Sequence, residues 1–398
     1  MNTRLLLLAC LVVGLAIFSC ERISPKAPEE DQILDGPVDG LTSDQKIRFL
    51  AGDVAFNREI FTSETGLGSV FVATSCGGCH AGDGKGTPFT TLTRFGQTDE
   101  TGNKFLHLGG PQLQNRALPG FTPETIPAGA TFSKFTPPAN TGLGFIELVS
   151  DQDILAMADP EDKDGDGISG VPNYGPLPSF VAPYQHSIPK NGKYIHRFGK
   201  KAATYNLLHQ TVNAYSQDIG ISSSFLPFDV YQGHQIDPEI SNLTIQNVVF
   251  YLETLKAPIQ RNQTDPNVQQ GKQTFIDIGC QNCHKENLKT GISPVSALSN
   301  KTFHPFTDLL LHDMGSGLDD GYTEGSAKTA EWRTPPLWGM GLSPNSQGGK
   351  YYLMHDGRAH SIRQAIQMHG GEGQVSSTKF DKLSETDKNK LVTFLESL

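Results

Sequence analysis

Two copies of the pattern C-x-x-C-H, at Cys76–His80 and Cys280–His284, constrain this chain more than any other feature of its sequence. The pattern is the attachment site of c-type haem. On a helical turn the two cysteines share a face and can both form thioether bonds to the porphyrin, while the next histidine lies beneath the iron. A zinc half-site would lack its second pair of ligands. We therefore predict two covalent haems, each held by two thioethers and one axial histidine: Cys76, Cys79 and His80 for the first, and Cys280, Cys283 and His284 for the second.

The first 19 residues have the pattern of a secretory signal, with Arg4 ahead of an apolar run from Leu5 to Phe18. That run is too short for a confident membrane span. It ends at Cys20 in a context similar to a bacterial lipobox, so we predict that Cys20 is lipidated. The alternative is an ordinary signal peptide whose removal leaves Cys20 as a free thiol. Haem c is attached outside the cytoplasm, and we expect an exported, lipid-anchored protein in the periplasm or at the outer membrane of a Gram-negative bacterium.

The composition indicates a protein that is rich in loops and has an acidic surface. The 398 residues include 42 glycines and 25 prolines, which favour long shaped loops, and the formal net charge is −10. A negative surface argues against nucleic acid as a partner. It favours a basic electron donor such as a small cytochrome or a cupredoxin, although acidic residues also serve solubility alone. The sequence leaves open whether the chain forms a homodimer.

Helical periodicity surrounds both motifs and suggests two similar halves. We predict a mainly α fold with two cytochrome c-like domains, each carrying one covalent haem, and long Gly/Pro-rich loop insertions. The predicted helices are Ser43 to about Phe61, Ser241–Leu255, Val268–Ile278 and Ser384–Leu398. The predicted segments are a signal peptide (1–19), a flexible tether (20–42), an N-terminal domain with a large insertion (43–256), a linker (257–268) and a C-terminal domain (269–398).

Several further motifs resemble those of bacterial di-haem cytochrome c peroxidases and of methylamine dehydrogenase maturation enzymes. The closest likeness is to the di-haem oxidoreductases, also called thiol oxidoreductases. The motifs that carry it are Leu143–Glu147, Asp162–Gly170, Arg197–Gly199, Trp332–Gly339, Met354–Arg358 and Ala365–Gly371. The resemblance implies reduction of a peroxide at one haem, with electrons relayed by the other. The sequence does not support a thiol oxidoreductase activity, because every cysteine of the mature protein already has another predicted role.

The segment around His369 is the best candidate for the distal ligand of the second haem. At 100° per residue, His369 shares a helical face with Ile362 and Ile366, just before a Gly-Gly stop. In the resembled peroxidases a methionine ends the corresponding helix, which implies a ligand at His369. Met354 and Met368 are the alternatives, and His369 could instead only cap the helix. Ligation by two histidines would lower the potential of this haem relative to histidine and methionine.

Three more residues near the second haem are implied by the resemblance or by their position. His355 is implied to lie close to the haem without binding its iron. Trp332 is predicted to lie near a haem, although packing alone would also explain it. His312 ends an apolar run and is expected either to touch a haem edge or to be an ordinary hydrogen-bonded histidine. Lys200 and Lys201 stand where the subfamily pattern carries tryptophan, which makes an aromatic electron relay doubtful.

Glu147 and His107 are the candidates on the distal side of the first haem. Glu147 follows an apolar segment in which a lone carboxylate is costly to bury. In the resembled enzymes a distal glutamate moves protons during O–O cleavage, and desolvation would raise the pKa of such a group. The alternative for Glu147 is a capping hydrogen bond. His107 lies at the distance from the motif where the peroxidases carry a removable histidine.

The run Asp162-Lys163-Asp164-Gly165-Asp166-Gly167 matches the start of a calcium-binding loop, in which alternate carboxylates surround the ion. The twelfth position is Asn173 where an EF-hand has glutamate, so the loop is not an EF-hand. We predict a structural Ca²⁺ held by Asp162, Asp164 and Asp166.

The leading functional prediction is a peroxidase-like oxidoreductase. Electrons would enter through the haem on His284, and peroxide would bind at the haem on His80. The alternatives are a non-catalytic electron-transfer protein and a maturation-type oxidase that modifies a partner protein or a metal ion.

Overall fold

The computed structural model of the protein describes residues 28–229 and 234–398. The predicted signal peptide, Cys20 and the first part of the predicted tether lie outside the described residues. Residues Leu34–Leu398 form one compact unit, and the described residues before it contain the short 3₁₀ turn Glu30–Gln32. No helix among the described residues has the length and apolar character needed to cross a bilayer.

The structure contains a helix at each of the four predicted positions, although the ends of these helices differ from the predicted ones. The predicted helices correspond to Ser43–Asn57, Asn242–Thr254, Pro266–Asp277 and Glu385–Ser397. Side-chain caps explain their starts, since Thr42, Ser241, Asp265 and Ser384 each accept a hydrogen bond from a backbone N–H in the first turn. In chain order the α-helices are α1 Ser43–Asn57, α2 Leu143–Glu147, α3 Asp151–Met157, α4 Leu207–Ala214, α5 Asn242–Thr254, α6 Pro266–Asp277, α7 Ser343–Ser346, α8 Ile362–Gln367, α9 Gln374–Asp381 and α10 Glu385–Ser397.

The predicted mainly α fold class is wrong, because the protein is 34% helical and 13% strand. Short strands pair antiparallel in two-stranded ribbons. These ribbons are β1 Val70–Phe71 with β3 Arg116–Ala117, β2 Leu92–Phe95 with β4 Phe132–Phe135, β5 Asn173–Gly175 with β6 Tyr194–His196, β7 Phe228–Asp229 with β8 His234–Gln235, β9 Leu288–Lys289 with β10 Thr302–Phe303, and β11 Leu311–Asp313 with β12 Glu331–Arg333. Glycine and proline interrupt helices in the segments that form these ribbons. The backbone N–H and C=O groups there therefore bond to distant segments instead of to the next helical turn. Cytochrome c-like domains are not established by this structure, and the domain boundaries stay predictions.

Two helix pairs frame the two motifs in the same way. Helix α1 precedes the first motif and packs against α5, while α6 precedes the second motif and packs against α10. Each pair meets at a glycine: a Cβ on Gly52 would collide with the Asn247 carbonyl, and one on Gly271 would collide with the Lys390 carbonyl. The close approach of the helices therefore requires glycine at both positions.

Two large apolar clusters form the core. One combines Phe49, Ile154 and Tyr251 with Leu310 and Trp338, so that segments after the second motif pack with the first half. The other lies within residues 268–398. Leu34 and Leu41 are buried, which places the chain from residue 34 onward against the folded unit.

Candidate haem-binding site

The second motif follows directly from the end of α6. Gly279 takes a positive φ of 92°, and Cys280–Asn282 form one 3₁₀ turn, which brings the His284 N–H within 3.0 Å of the Cys280 carbonyl oxygen. Nδ1 of His284 lies 2.9 Å from the Phe306 carbonyl oxygen. Because a carbonyl only accepts, Nδ1 carries the proton and Nε2 keeps its lone pair. Desolvation lowers the pKa of His284 to about 4, so the imidazole is neutral, as an axial ligand must be.

The first motif repeats this arrangement. The His80 N–H lies 3.0 Å from the Cys76 carbonyl oxygen, and His80 Nδ1 lies 2.9 Å from the Pro138 carbonyl oxygen. Desolvation lowers the pKa of His80 to about 4. A phenylalanine of the preceding helix faces each histidine, Phe56 at 6.0 Å from His80 and Phe275 at 6.3 Å from His284 between ring centroids. None of the four motif cysteines forms a disulfide. Both motifs therefore fit a haem with a histidine ligand.

His369 lies beside the second motif. Ala365 and Ile366 of α8 pack against the same apolar cluster as Cys280, and Glu372 is joined to Cys283 through His312. Nδ1 of His369 lies 2.7 Å from the Ala365 carbonyl oxygen, and desolvation lowers the pKa of His369. His369 therefore also has a neutral ring with a lone pair on Nε2, and it caps the end of α8. It lines a cavity of about 440 Å³ together with Met368 and Arg358.

The two alternative distal ligands are packed in apolar surroundings. Met354 has a positive φ of 69° and lies between the second core cluster and a small cluster around Trp332. Met368 packs against the second core cluster. The structure brings all three candidates near the second motif, and the identity of the ligand stays a prediction.

His312 is an imidazolium held beside the second motif. Its Nε2 lies 2.9 Å from Asp308 Oδ2, and its Nδ1 lies 2.6 Å from Glu372 Oε2 and 3.6 Å from Cys283 Sγ. Burial disfavours the charge, but the hydrogen bonds with Asp308, Cys283 and Glu372 prevail and raise the pKa of His312 to about 12. His312 thus touches the cysteine that is predicted to attach the haem.

Trp332 and His355 form a stacked pair. Their ring centroids are 3.7 Å apart with an interplanar angle of 11°. The indole donates to the Leu318 carbonyl at 2.8 Å, and His355 Nε2 lies 2.7 Å from Asp320 Oδ2. On the Trp332 ring, 3.8 Å from its centroid, lies Nζ of Lys201, which donates to three backbone carbonyls. Trp332 is thus tightly packed, and contact of Trp332 or His355 with haem stays a prediction.

The acidic loop contacts the second motif through Asp166. Oδ2 of Asp166 accepts a hydrogen bond from Asn282 Nδ2 at 3.0 Å. The carboxylate oxygens that cluster within 4.8 Å belong instead to Asp159, Asp162 and Asp164. The predicted ligand set is therefore only partly assembled, and calcium binding stays a prediction.

Glu147 is buried and hydrogen-bonded through one carboxylate oxygen. Its Oε1 accepts hydrogen bonds from the Tyr184 hydroxyl and from the backbone N–H of Leu207, the first residue of α4, both at 2.8 Å. Burial raises the pKa of Glu147. The capping hydrogen bond weighed as an alternative is therefore present. His107 is exposed on a loop, a position that gives no support to a role as an iron ligand. The predicted roles of both residues stay predictions.

A polar cluster beside the first motif was missed by the sequence analysis. Asp218 lies in the π-helical turn Tyr215–Ile219, and its carbonyl accepts from Val72 N at 2.7 Å and Ala73 N at 3.0 Å, just before Cys76. Its carboxylate accepts a hydrogen bond from Gln112 Nε2. Burial raises the pKa of Asp218 to about 6, and its charge in turn helps to raise the thiol pKa of Cys76 and Cys79.

Arg94 completes this cluster. Its Nη1 donates to Gln112 Oε1 and Gln217 Oε1, each at 3.3 Å, and its Nε lies 2.6 Å from Glu324 Oε1. These residues come from β2, two loops and a π turn far apart in the chain. No short sequence motif could therefore have predicted that these residues lie together.

Comparisons with known proteins agree with the two-haem prediction. A family model described as "Di-haem oxidoreductase, putative peroxidase" matches residues 134–398. No curated protein matches the chain. Among solved structures, hydrazine synthase of Kuenenia stuttgartiensis aligns with a TM-score of 0.39 and 14% identity, over 94% of this chain and 98% of that chain, a likeness too low to carry an argument. The chain belongs to the di-haem oxidoreductase family, whose members are haem-dependent oxidoreductases.

Proposed function

We propose that this protein is a peroxidase-like enzyme with two c-type haems. The first haem, on Cys76, Cys79 and His80, is the site of peroxide reduction. The second haem, on Cys280 and Cys283 with His284 and His369 as axial ligands, relays electrons to it. Each molecule of hydrogen peroxide takes up two electrons and two protons and yields two molecules of water.

One asymmetry between the two motifs supports this proposal best. His369 lies in a segment that packs beside the second motif, where Glu372 and Cys283 both contact His312. The candidate for the first motif, His107, is instead exposed on a loop. The second haem would therefore have two histidine ligands, whereas the first would keep one coordination position for a substrate.

A bound haem supplies the redox equivalents and the position where the peroxide oxygen binds. The surrounding residues must deliver protons and stabilise the charge that develops as the O–O bond breaks. The cluster of Asp218, Gln112 and Arg94 offers both functions, because it combines a carboxyl group of raised pKa with a guanidinium whose Nε pairs with Glu324 and whose Nη1 donates to Gln112. We assign proton delivery to Asp218 in preference to Glu147, because the Asp218 carbonyl accepts hydrogen bonds from Val72 and Ala73, just before Cys76.

We expect Asp218→Asn to lower peroxide turnover about a hundredfold, the size typical of a lost general acid. Initial rates with hydrogen peroxide and a reduced electron donor measure this. Asp277→Asn removes an exposed carboxylate near the second motif and serves as the control, with a rate equal to that of the parent protein. A large loss in Glu147→Gln, with full activity in Asp218→Asn, would return the proton-delivery role to Glu147.

We further propose the surroundings in which this enzyme works. A lipid on Cys20 would anchor it at the periplasmic or outer-membrane surface. The acidic chain would receive electrons from a basic small cytochrome or cupredoxin, an association that salt would weaken. The acidic loop at Asp162, Asp164 and Asp166 would hold a structural Ca²⁺.

A further inference from the structure

The carboxylate of Glu372 joins three segments of the chain beside the second motif. Its Oε2 lies 2.6 Å from His312 Nδ1 and accepts a hydrogen bond from the backbone N–H of Ser169 at 3.1 Å. Its Oε1 accepts from the Ser169 hydroxyl at 2.6 Å and from the backbone N–H of Asp313 at 3.3 Å. Both oxygens are therefore held from two directions, and the Glu372 side chain has a fixed position.

His312 connects this carboxylate to the attachment site of the second haem. Its Nδ1 also lies 3.6 Å from Cys283 Sγ, and its Nε2 lies 2.9 Å from Asp308 Oδ2. The His312 side chain is only 4% exposed, so water competes little for these contacts. Hydrogen bonds to ionised groups are about twice as strong as those between neutral groups. Asp308, His312 and Glu372, here called the carboxylate–histidine clamp, therefore form a strong junction at Cys283.

Glu372 also fixes the backbone against which the His369 ring lies. A Cβ added to the next residue, Gly373, would lie 2.9 Å from His369 Cβ and 3.2 Å from its Cδ2. The ring therefore packs directly on the Gly373 backbone. Nδ1 of His369 lies 2.7 Å from the Ala365 carbonyl oxygen. Two contacts thus orient the ring, one with the end of α8 and one with the backbone next to Glu372.

The segment that follows His369 has little else to hold it in place. Residues 370–373 have the sequence Gly-Gly-Glu-Gly, so Glu372 carries the only side chain among them. Gly371 takes a positive φ of 51°, and a Cβ there would collide with the Asp313 carbonyl. Glycine is conformationally permissive, and a chain of this composition loses much entropy when it is ordered. The hydrogen bonds of Glu372 are therefore the main side-chain restraint on this segment.

We propose that Glu372, held by His312, is the positioning residue that keeps His369 on the iron of the second haem. This inference deepens the proposed function and rests on His369 as the second axial ligand of that haem. The carboxylate–histidine clamp acts on two parts of the haem site, because His312 contacts the attachment residue Cys283 while Glu372 restrains the segment after His369. A ligand that is already held in place loses less conformational freedom when it binds. The clamp would thereby keep the second haem closed for electron relay.

The test uses the full-length protein with both haems attached and compares Glu372→Ala and Glu372→Gln with the parent. Gln374→Ala is the matched control, because it removes an exposed side chain two residues further along the same segment. Optical titration of the fully reduced protein gives the number of carbon monoxide (CO) molecules bound per chain. Electron paramagnetic resonance of the oxidised protein gives the low-spin signal of the second haem. Peroxide turnover plays no part in these readouts.

We expect Glu372→Ala to raise the number of bound CO molecules from one per chain towards two, and to weaken the low-spin signal of the second haem. Glu372→Gln keeps acceptors for Ser169 and Asp313 but loses the charge opposite His312, so it should fall between Glu372→Ala and the parent. Added imidazole, which can replace a detached histidine, should restore the low-spin signal in Glu372→Ala. The Gln374→Ala control should behave as the parent does.

One CO per chain and a parent-like low-spin signal in Glu372→Ala would overturn the proposal. If Glu372→Ala does not fold, Glu372→Gln decides, and parent behaviour of that variant would contradict the proposal equally. An equal opening of the second haem in Gln374→Ala would also contradict it, because any loosening of the segment would then suffice. An unchanged CO stoichiometry in His369→Ala would overturn the ligand assignment of the proposed function as well. Opening in His369→Ala without opening in the Glu372 variants would overturn this proposal alone.

Discussion

Replacing His369 by alanine is expected to turn the second haem into a carbon monoxide site, so that the reduced protein binds two CO molecules per chain instead of one. The reason is positional: His369 follows α8, which packs with Cys280 against the same apolar cluster, and its neutral ring keeps a lone pair on Nε2. Alanine removes that ligand, while the preceding helix α8 keeps its packing against the second core cluster. Optical titration with CO, together with the loss of the low-spin signal of one haem in electron paramagnetic resonance, measures the change.

His360→Ala is the matched control for this experiment. His360 is exposed and lies just before helix α8, and its ring contacts Tyr352 at 5.3 Å between centroids. This variant should bind one CO, as the parent does. An unchanged stoichiometry in His369→Ala, or the appearance of a second CO in Met354→Ala or Met368→Ala instead, would show that His369 is not the ligand.

Arg197→Met is expected to destabilise the protein by about 3–5 kcal/mol, the usual cost of leaving one partner of a buried ion pair uncompensated. Arg197 and Asp151 are paired with both side chains completely shielded from solvent. The guanidinium also donates to the carbonyls of Glu147 at 2.8 Å and Val149 at 2.9 Å. Its loss therefore leaves a charge and two acceptors buried near α2 and α3. Urea denaturation followed by far-UV circular dichroism gives the free energy of unfolding.

Arg363→Met provides the comparison, since Arg363 pairs with Glu385 at the exposed surface at 2.8 Å. A surface pair contributes only about 0–1 kcal/mol. The double variant Arg197→Met/Asp151→Asn should recover part of the lost free energy of unfolding, because it removes the unpaired negative charge of Asp151. Equal destabilisation by Arg197→Met and Arg363→Met would contradict the buried-pair account.

Helices next to the motifs could be predicted from sequence because their signals are local. The apolar stripe of α5, with Ser241 before it and proline soon after it, defines the helix within a few residues. The same holds for α10, which Ser384 caps. His369 could be singled out in the same way, because its position on the helical face of Ile366 is fixed by a short range of sequence.

The fold class could not be predicted in this way. Between residues 85 and 240 glycine and proline exclude long helices, but whether the chain forms loops or ribbons depends on distant partners. Ribbon β2–β4, for example, joins Leu92 to Phe135. Long-range pairing also explains why the Arg94–Asp218 cluster left no local pattern.

The central claim is that the first haem is open and the second is closed. The stoichiometry of CO binding to the purified protein, in its half-reduced and fully reduced states, tests this claim most directly. The account predicts one CO per chain in the fully reduced protein, taken up by the haem on His80. Binding of no CO in either state would contradict it, because both irons would then be closed and electron transfer without peroxide chemistry would be the better account. Binding of two would contradict the role of His369.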